Sequence, residues 1–260
     1  MNDSLYIAAT GMHSQQKSVD TIAHNLANVN TPGFKKGKIN FADMVYRQMG
    51  RAAEPDGSWS ARSMWQGSGV SASALLKVFT PGDLRKTEAP LDLAIQGEGF
   101  LEVSAADGAP AYSRGGALSV DKEGFLATAE GHRLQPGIHV GQEMKELLIS
   151  ADGRVMARSR DQREASEVGR IELLSFSDSS ALQALGANLY RPSERSGDAI
   201  AGKPGEEGLG TLAQGFLEAS NVRLIEEMVD LMAAQRAYES SAKVIQASDE
   251  LLAMSNNLRK

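Results

Sequence analysis

The chain has 260 residues, of which 42% are hydrophobic, 23% charged and 5% aromatic, a composition that leaves room for one large or two modest domains and excludes a chain disordered throughout. Thirty-three acidic against 27 basic side chains give a formal charge of −6, which works against a nucleic-acid or anionic-lipid partner, and the lack of cysteine removes disulfides, thiolate metal sites and cysteine nucleophiles together. No stretch approaches the roughly 20 consecutive apolar residues of a membrane-spanning helix. The N-terminal segment is periodic and polar-interrupted where a signal peptide has a solid apolar core, so export would proceed without a cleaved signal.

From Asp3 to about Val29 the residues Leu5, Ala8, Met12, Val19, Ile22, Leu26 and Val29 keep a three-four spacing broken only at Gln15, which predicts a helix with a coiled-coil seam. Asn2 or Asp3 supplies an N-cap, and Asn30-Thr31-Pro32-Gly33 ends the helix because proline disfavours the helical conformation of the residue before it. Gly11, inside this helix, is explained by the close approach of a neighbouring backbone or is a tolerated weak spot. Just past the turn, Phe34 sits beside the basic cluster Lys35, Lys36 and Lys38, which reads as a solvated turn or as a charged contact with the acidic helix of another subunit around Glu226, Glu227 and Asp230.

The stretch from Gln48 to Ser73 is rich in Gly, Ser, Arg and Ala, as expected of an extended connector. After it the period changes from 3.6 to 2. Asp107-Gly108, Glu123-Gly124 and Asp152-Gly153 separate short runs of strand character, predicting one antiparallel β domain over about 91–190. Residues 191–210, rich in Gly, Pro and Glu, read as a return connector.

The last segment repeats the pattern of the first: Leu224, Met228, Leu231, Tyr238, Ala242, Ile245 and Leu252 keep the three-four spacing and predict a helix from about Val222 to Asn257 with Asn221 as its N-cap. A second stripe, Val222, Ile225, Val229 and Met232, runs beside it. One antiparallel partner helix cannot cover both stripes, so a globular core or other copies of the chain must bury the rest.

The fold class expected is therefore α+β: long terminal helices pairing as a coiled coil around an extended connector and an antiparallel β domain. The expected divisions are 1–33 for the N-terminal helix, 34–90 for a connector or β-hairpin region, 91–190 for the β domain, 191–215 for the return connector and 216–260 for the C-terminal helix.

The sequence offers little for catalysis. Gly197 to Lys203 fits GxxxxGK, but Pro204 stands where a magnesium-binding hydroxyl belongs, and no strand-loop-helix context surrounds it. His13 and His24 are separated by about 16 Å along a helix, too far to share a metal, and His132 and His139 have no carboxylate pattern nearby. There is no GxSxG elbow and no HExxH helix. The expectation is no catalytic, cofactor or metal site and no enzyme.

Three segments do carry a resemblance. The run from Ile22 to Lys35, Ile-Ala-His-Asn-Leu-Ala-Asn-Val-Asn-Thr-Pro-Gly-Phe-Lys, resembles the N-terminal signature of the bacterial flagellar rod and hook proteins. Leu91 to Phe100 resembles the start of that family's β domain, and Glu218 to Val222 with Gln235-Arg236-Ala237-Tyr238-Glu239 resembles its C-terminal helix. Compact length, Gly67-Ser68-Gly69-Val70 and the chain end soon after Leu252 bring it closest to the distal rod, with the proximal rod as the alternative.

The resemblance implies a structural subunit, exported unfolded by the flagellar type III apparatus without a cleaved signal, that polymerises in the periplasm into a hollow, stiff tube transmitting torque from motor to hook and conducting exported subunits. It implies as partners the chain itself, proximal rod proteins, hook or hook-rod junction proteins, a rod cap, L and P ring proteins and the export apparatus, with no nucleic acid and no membrane insertion. On this reading the assembly interface comprises Leu5, Met12, Val19, Ile22, Leu26, Phe34, Leu224, Met228, Leu231, Tyr238, Ile245 and Leu252, and no cofactor is expected. The competing reading from another class is a ligand-binding β domain dimerised by its terminal helices.

Overall fold

The computed structural model describes residues 2–44, 46–49, 64–105, 107–141, 144–159, 165–206 and 208–257, with an α1 helix over Asn2–Ala27 and an α2 helix over Leu224–Asn257. The chain forms two compact units: Met1–Leu26, Gly37–Leu76 and Arg223–Lys260 make the first, and Ala27–Lys36 with Lys77–Val222 make the second.

In the first unit the two helices are accompanied by a β arm. Strand Gly37–Asp43 pairs with Val70–Lys77, and beyond them Tyr46–Met49 pairs antiparallel with Met64–Gly67, so the described residues at both ends of the expected connector include paired strands. Part of that connector, including Pro55-Asp56-Gly57 and Trp59, lies outside the described residues. The arm lies close to α1 where side chains are absent. A Cβ on Gly69 would collide with the Thr10 hydroxyl, and one on Gly37 would come 3.4 Å from the Thr21 methyl.

Both helices are shorter at one end than their periodicity predicts. α1 stops at Ala27, where Thr31 donates from its backbone N–H to the Asn28 carbonyl at 3.1 Å and closes a turn ahead of Pro32. α2 starts at Leu224. Asn221, expected as its N-cap, is committed elsewhere: its Oδ1 accepts from the Lys36 backbone N–H at 2.8 Å and its Nδ2 donates to the Val78 carbonyl at 2.8 Å.

The described residues of the second unit are mostly β, with one short 3-10 helix over Ser179–Ala181. The three acidic-Gly pairs named above lie at hairpin turns, joining Leu101–Ser104 to Pro110–Ser113, Gly115–Val120 to Leu126–Thr128 and Met144–Ile149 to Arg154–Ser159. Strands continue past residue 190, where composition suggested a connector. Ile200–Gly202 pairs with Leu173–Ser175, Thr211–Gln214 with Asp92–Gln96, and Phe216–Glu218 with Leu84–Lys86. Strands of three or four residues among glycines are too short to show a period.

A core of Leu93, Ile95, Leu101, Val103, Leu126, Leu134, Val155, Ile171, Leu173 and their neighbours fills the space between these sheets. A second cluster is aromatic: Phe79, Phe100, Tyr112, Phe176 and Tyr190 meet edge to face with centroids 4.9 to 6.3 Å apart. Gln214 fastens one sheet to the next, donating to the Pro90 and Leu147 carbonyls and accepting from the Ile149 N–H.

Candidate assembly surface

In a soluble monomer a helix turns its apolar stripe inward, and α1 does so only in part. Ala8, Ser14, Ile22 and Asn25 are buried, while Leu5, Met12, Val19 and Leu26 are half-buried. On α2 the relation is reversed. Glu227 and Ala234 are buried, whereas Leu224, Ile225, Met228, Val229 and Met232 are 48 to 76% exposed and Tyr238 is 39% exposed. Leu231 and Ile245 are half-buried, and the side chain of Leu252 lies outside the described residues. The residues turned inward thus fall one position before Met228, Gln235 and Ala242, at Glu227, Ala234 and Ser241.

Two contacts show how the helices run past each other. Asn25 Nδ2 donates to Glu227 Oε2 at 3.0 Å, and a Cβ on Gly11 would stand 3.6 Å from Ser241 Oγ. The contacts are fourteen residues apart on each helix and run in opposite chain directions, so these stretches are antiparallel. Among the described residues no backbone comes close to Gly11: its neighbour is the Ser241 side chain, at an ordinary contact distance that leaves room for a Cβ.

The charges expected to reach a neighbouring subunit divide into two groups. Lys38, Glu226 and Asp230 are exposed, with Glu226 held by Arg223 at 2.9 Å. Lys35 and Glu227 are corrections to that expectation, since both are buried and bonded within their own chain. Lys36 is half-buried and its backbone N–H is held by Asn221. Phe34 is also internal, 5% exposed, with the Lys77 ammonium 4.4 Å above its ring centre.

Lys35 belongs to a buried charge cluster in the second unit. Its ammonium donates to Glu218 Oε1 at 2.7 Å and to the Thr80 carbonyl at 2.9 Å. Arg114, also buried, reaches Glu218 Oε2 at 3.3 Å and donates to the Gly97 carbonyl at 2.7 Å. Burial pushes the Lys35 ammonium below the ordinary lysine range, with the attraction of Glu218 opposing. Besides the two cations, Glu218 Oε1 also accepts from the Gly82 N–H at 2.9 Å. Sequence spacing gave no sign of this cluster, although three of its members lie within the resembling segments: Lys35 ends the first, Gly97 falls in the second and Glu218 opens the third, while Arg114 lies outside them.

The histidines stand apart from one another in role. His13 and His24 are exposed on α1, His132 Nδ1 lies 3.3 Å from the Ser104 carbonyl, and His139 stacks edge to face on Phe125. Among the described residues no helix is long and apolar enough to cross a membrane.

What this surface can do is associate. Each half-exposed aliphatic side chain on α2 gains about 1 kcal/mol when the rest of its area is covered, and five of them lie within nine consecutive residues.

Comparison with known proteins matches three family descriptions to the chain in order: Flagella basal body rod protein over residues 5–35, Flagellar hook protein FlgE/F/G D1 domain over 94–157, and Flagellar basal body rod FlgEFG protein C-terminal over 213–258. The flagellar basal-body rod protein FlgG of Borreliella burgdorferi is 40% identical over 264 residues, spanning 100% of both chains. In Caulobacter vibrioides the protein of that name is 38% identical over 98% of this chain and 99% of its own, and the rod protein FlgF is 33% identical over 96% and 95%.

Proposed function

The chain belongs to the family of flagellar basal-body rod proteins and is a structural subunit of the distal rod, and from that premise we propose that it polymerises through its terminal helices into a hollow, stiff tube. The observation that carries this reading is the outward apolar stripe Leu224, Ile225, Met228, Val229 and Met232. In the proposal α1 and α2 continue their antiparallel contact as a coiled coil, and copies of the pair cover one another's stripes as an inner wall. Contacts between a patch and a different patch on the next copy do not close on themselves, so repetition yields a helical filament. Each subunit added loses translational and rotational freedom, which many small apolar contacts repay together.

Family membership also supports assembly with other rod and hook components. The finer partners in this proposal are proximal rod proteins below, hook or junction proteins above, a rod cap, the L and P rings around the shaft, and the export apparatus that delivers the chain to the periplasm without a cleaved signal. The role is mechanical, transmitting torque and conducting exported subunits, and no catalytic role is proposed. Lys38, Glu226 and Asp230 remain as exposed charges for contacts between subunits.

Sedimentation of the purified chain over a concentration series tests the reading. A critical concentration above which the chain pellets as fibres supports it, and a small closed oligomer of constant size at every concentration contradicts it.

A further inference from the structure

Along one line of contact between the helices, small residues recur every seven positions. Gly11, Ser18 and Asn25 lie on α1, and Glu227, Ala234, Ser241 and Ser248 lie on α2. With Asn25 on Glu227 and Gly11 beside Ser241, Ser18 falls level with Ala234 and Ser4 with Ser248. A slip of one heptad would set Gly11 against Ala234 or Ser248, side chains of nearly the same size as Ser241. The hydroxyls of Ser241 and Ser248 place no demand on a partner, because each donates to the carbonyl four residues earlier on its own helix, at 3.0 and 2.8 Å. Small-residue packing therefore discriminates poorly among registers.

One contact does discriminate. Asn25 and Glu227 are each 2% exposed. The Asn25 amide spends its other hydrogen-bonding groups on the arm: Nδ2 donates to the Gly37 carbonyl at 3.0 Å while Oδ1 accepts from the Gly37 N–H at 2.8 Å. That pair of hydrogen bonds fixes the plane of the amide and aims its second N–H at the Glu227 carboxylate. In a slipped register the carboxylate would lie against Ser18 or beyond the helix pair, without this donor.

We propose that the Asn25–Glu227 hydrogen bond, with the Asn25 amide held by Gly37, sets the register of α1, α2 and the arm, so that the small-residue faces meet within the chain and the apolar stripe of α2 is kept for other copies. A buried polar pair specifying register is a known device in helix packing. Its location here, where all three pieces of the first unit meet, assigns it that role. The proposal deepens the assembly reading, yet its first half concerns pairing within one chain and is tested without polymers.

The absence of cysteine allows a direct test by paired cysteines in the full-length chain. Gly11→Cys is combined separately with Ala234→Cys, Ser241→Cys and Ser248→Cys, and disulfide yield is read by mass spectrometry, with helix content followed by circular dichroism. In the native background the pairing with position 241 is expected to exceed either slipped pairing by about tenfold or more, the scale of one buried hydrogen bond. Glu227→Leu, which leaves the Asn25 bonds to Gly37 intact, is expected to bring the three yields within about threefold, and Glu227→Gln to keep the native preference. Asn25→Asp, which sets a second carboxylate against Glu227, is a further variant expected to lose the preference. Equal yields in the native background, or a preference that survives both Glu227→Leu and Asn25→Asp, would overturn the proposal. Pelleting of the same variants reads assembly separately, so loss of polymer with an intact disulfide pattern would count against the tube and not against the register.

Discussion

Lys35 and Glu218, 183 residues apart in the chain, form a buried ion pair with Nζ 2.7 Å from Oε1. Around it the backbone N–H of Gly33 donates to the Glu218 carbonyl at 2.8 Å and Lys36 binds Asn221. The segments that follow the first helix and precede the second are thus one structural feature, closed by Arg114 from the β sheet. Short polar bonds thus tie the two ends of the second unit's chain segments to one another.

Glu218→Gln should cost the second unit about 3–5 kcal/mol, because it leaves the Lys35 and Arg114 cations buried without their carboxylate. Urea unfolding followed by near-ultraviolet circular dichroism of the aromatic cluster measures this. A loss below about 1 kcal/mol, typical of an exposed pair, would show that the cluster is solvated in solution.

Gly82→Ala should destabilise the same region. A Cβ there would collide with the Ala219 carbonyl oxygen, and the Gly82 N–H is bonded to Glu218. Overpacking against backbone costs about 1–3 kcal/mol, read as a lowered urea midpoint, whereas Gly108→Ala at an open turn gives a control whose cost comes from its positive φ alone.

Asp121 gives the β unit an acid-sensitive turn. The Phe125 N–H foremost, then that of Glu123 and the Arg133 guanidinium, hold its carboxyl below the usual aspartate range. A carboxyl lowered on folding stabilises above its unfolded value, and that contribution is lost as pH falls through the range near 3.8 and below. Urea midpoints measured from pH 6 to pH 2.5, in steps of about half a unit, should fall less steeply for Asp121→Asn than for the native chain. Parallel curves would refute the assignment.

Met228→Asp should leave the free subunit almost unchanged, since the side chain is 50% exposed, and should prevent polymer formation. An unpaired carboxylate buried between subunits costs several kcal/mol, so the critical concentration should rise by about a hundredfold or more. Ile245→Asp, half-buried on the same helix, should also block polymers while leaving the β unit folded. Pelleting together with circular dichroism reads both outcomes.

The terminal helices and three hairpins were legible because each has a local signal: a 3.6-residue period, or an acidic-Gly turn between short apolar runs. The facing of α2 was harder to read. Periodicity locates the apolar stripe but does not say what covers it, and here Glu227 is buried while Met228 is exposed. In a subunit built to associate, the inward face need not be the more apolar one. The Lys35–Glu218 and Asn25–Glu227 pairs join positions 183 and 202 residues apart, so nothing in their neighbourhoods announces them. Composition likewise hid the strands at Ile200–Gly202 and Thr211–Gln214, whose partners lie far back in the chain.

The most direct test of the account is electron microscopy of the purified chain concentrated at neutral pH, beside a version lacking residues 1–30, which removes α1. Straight hollow tubes from the full chain and none from the truncation are the predicted result. Small oligomers from the full chain at every concentration, or tubes from the truncated one, would contradict a rod built through its terminal helices.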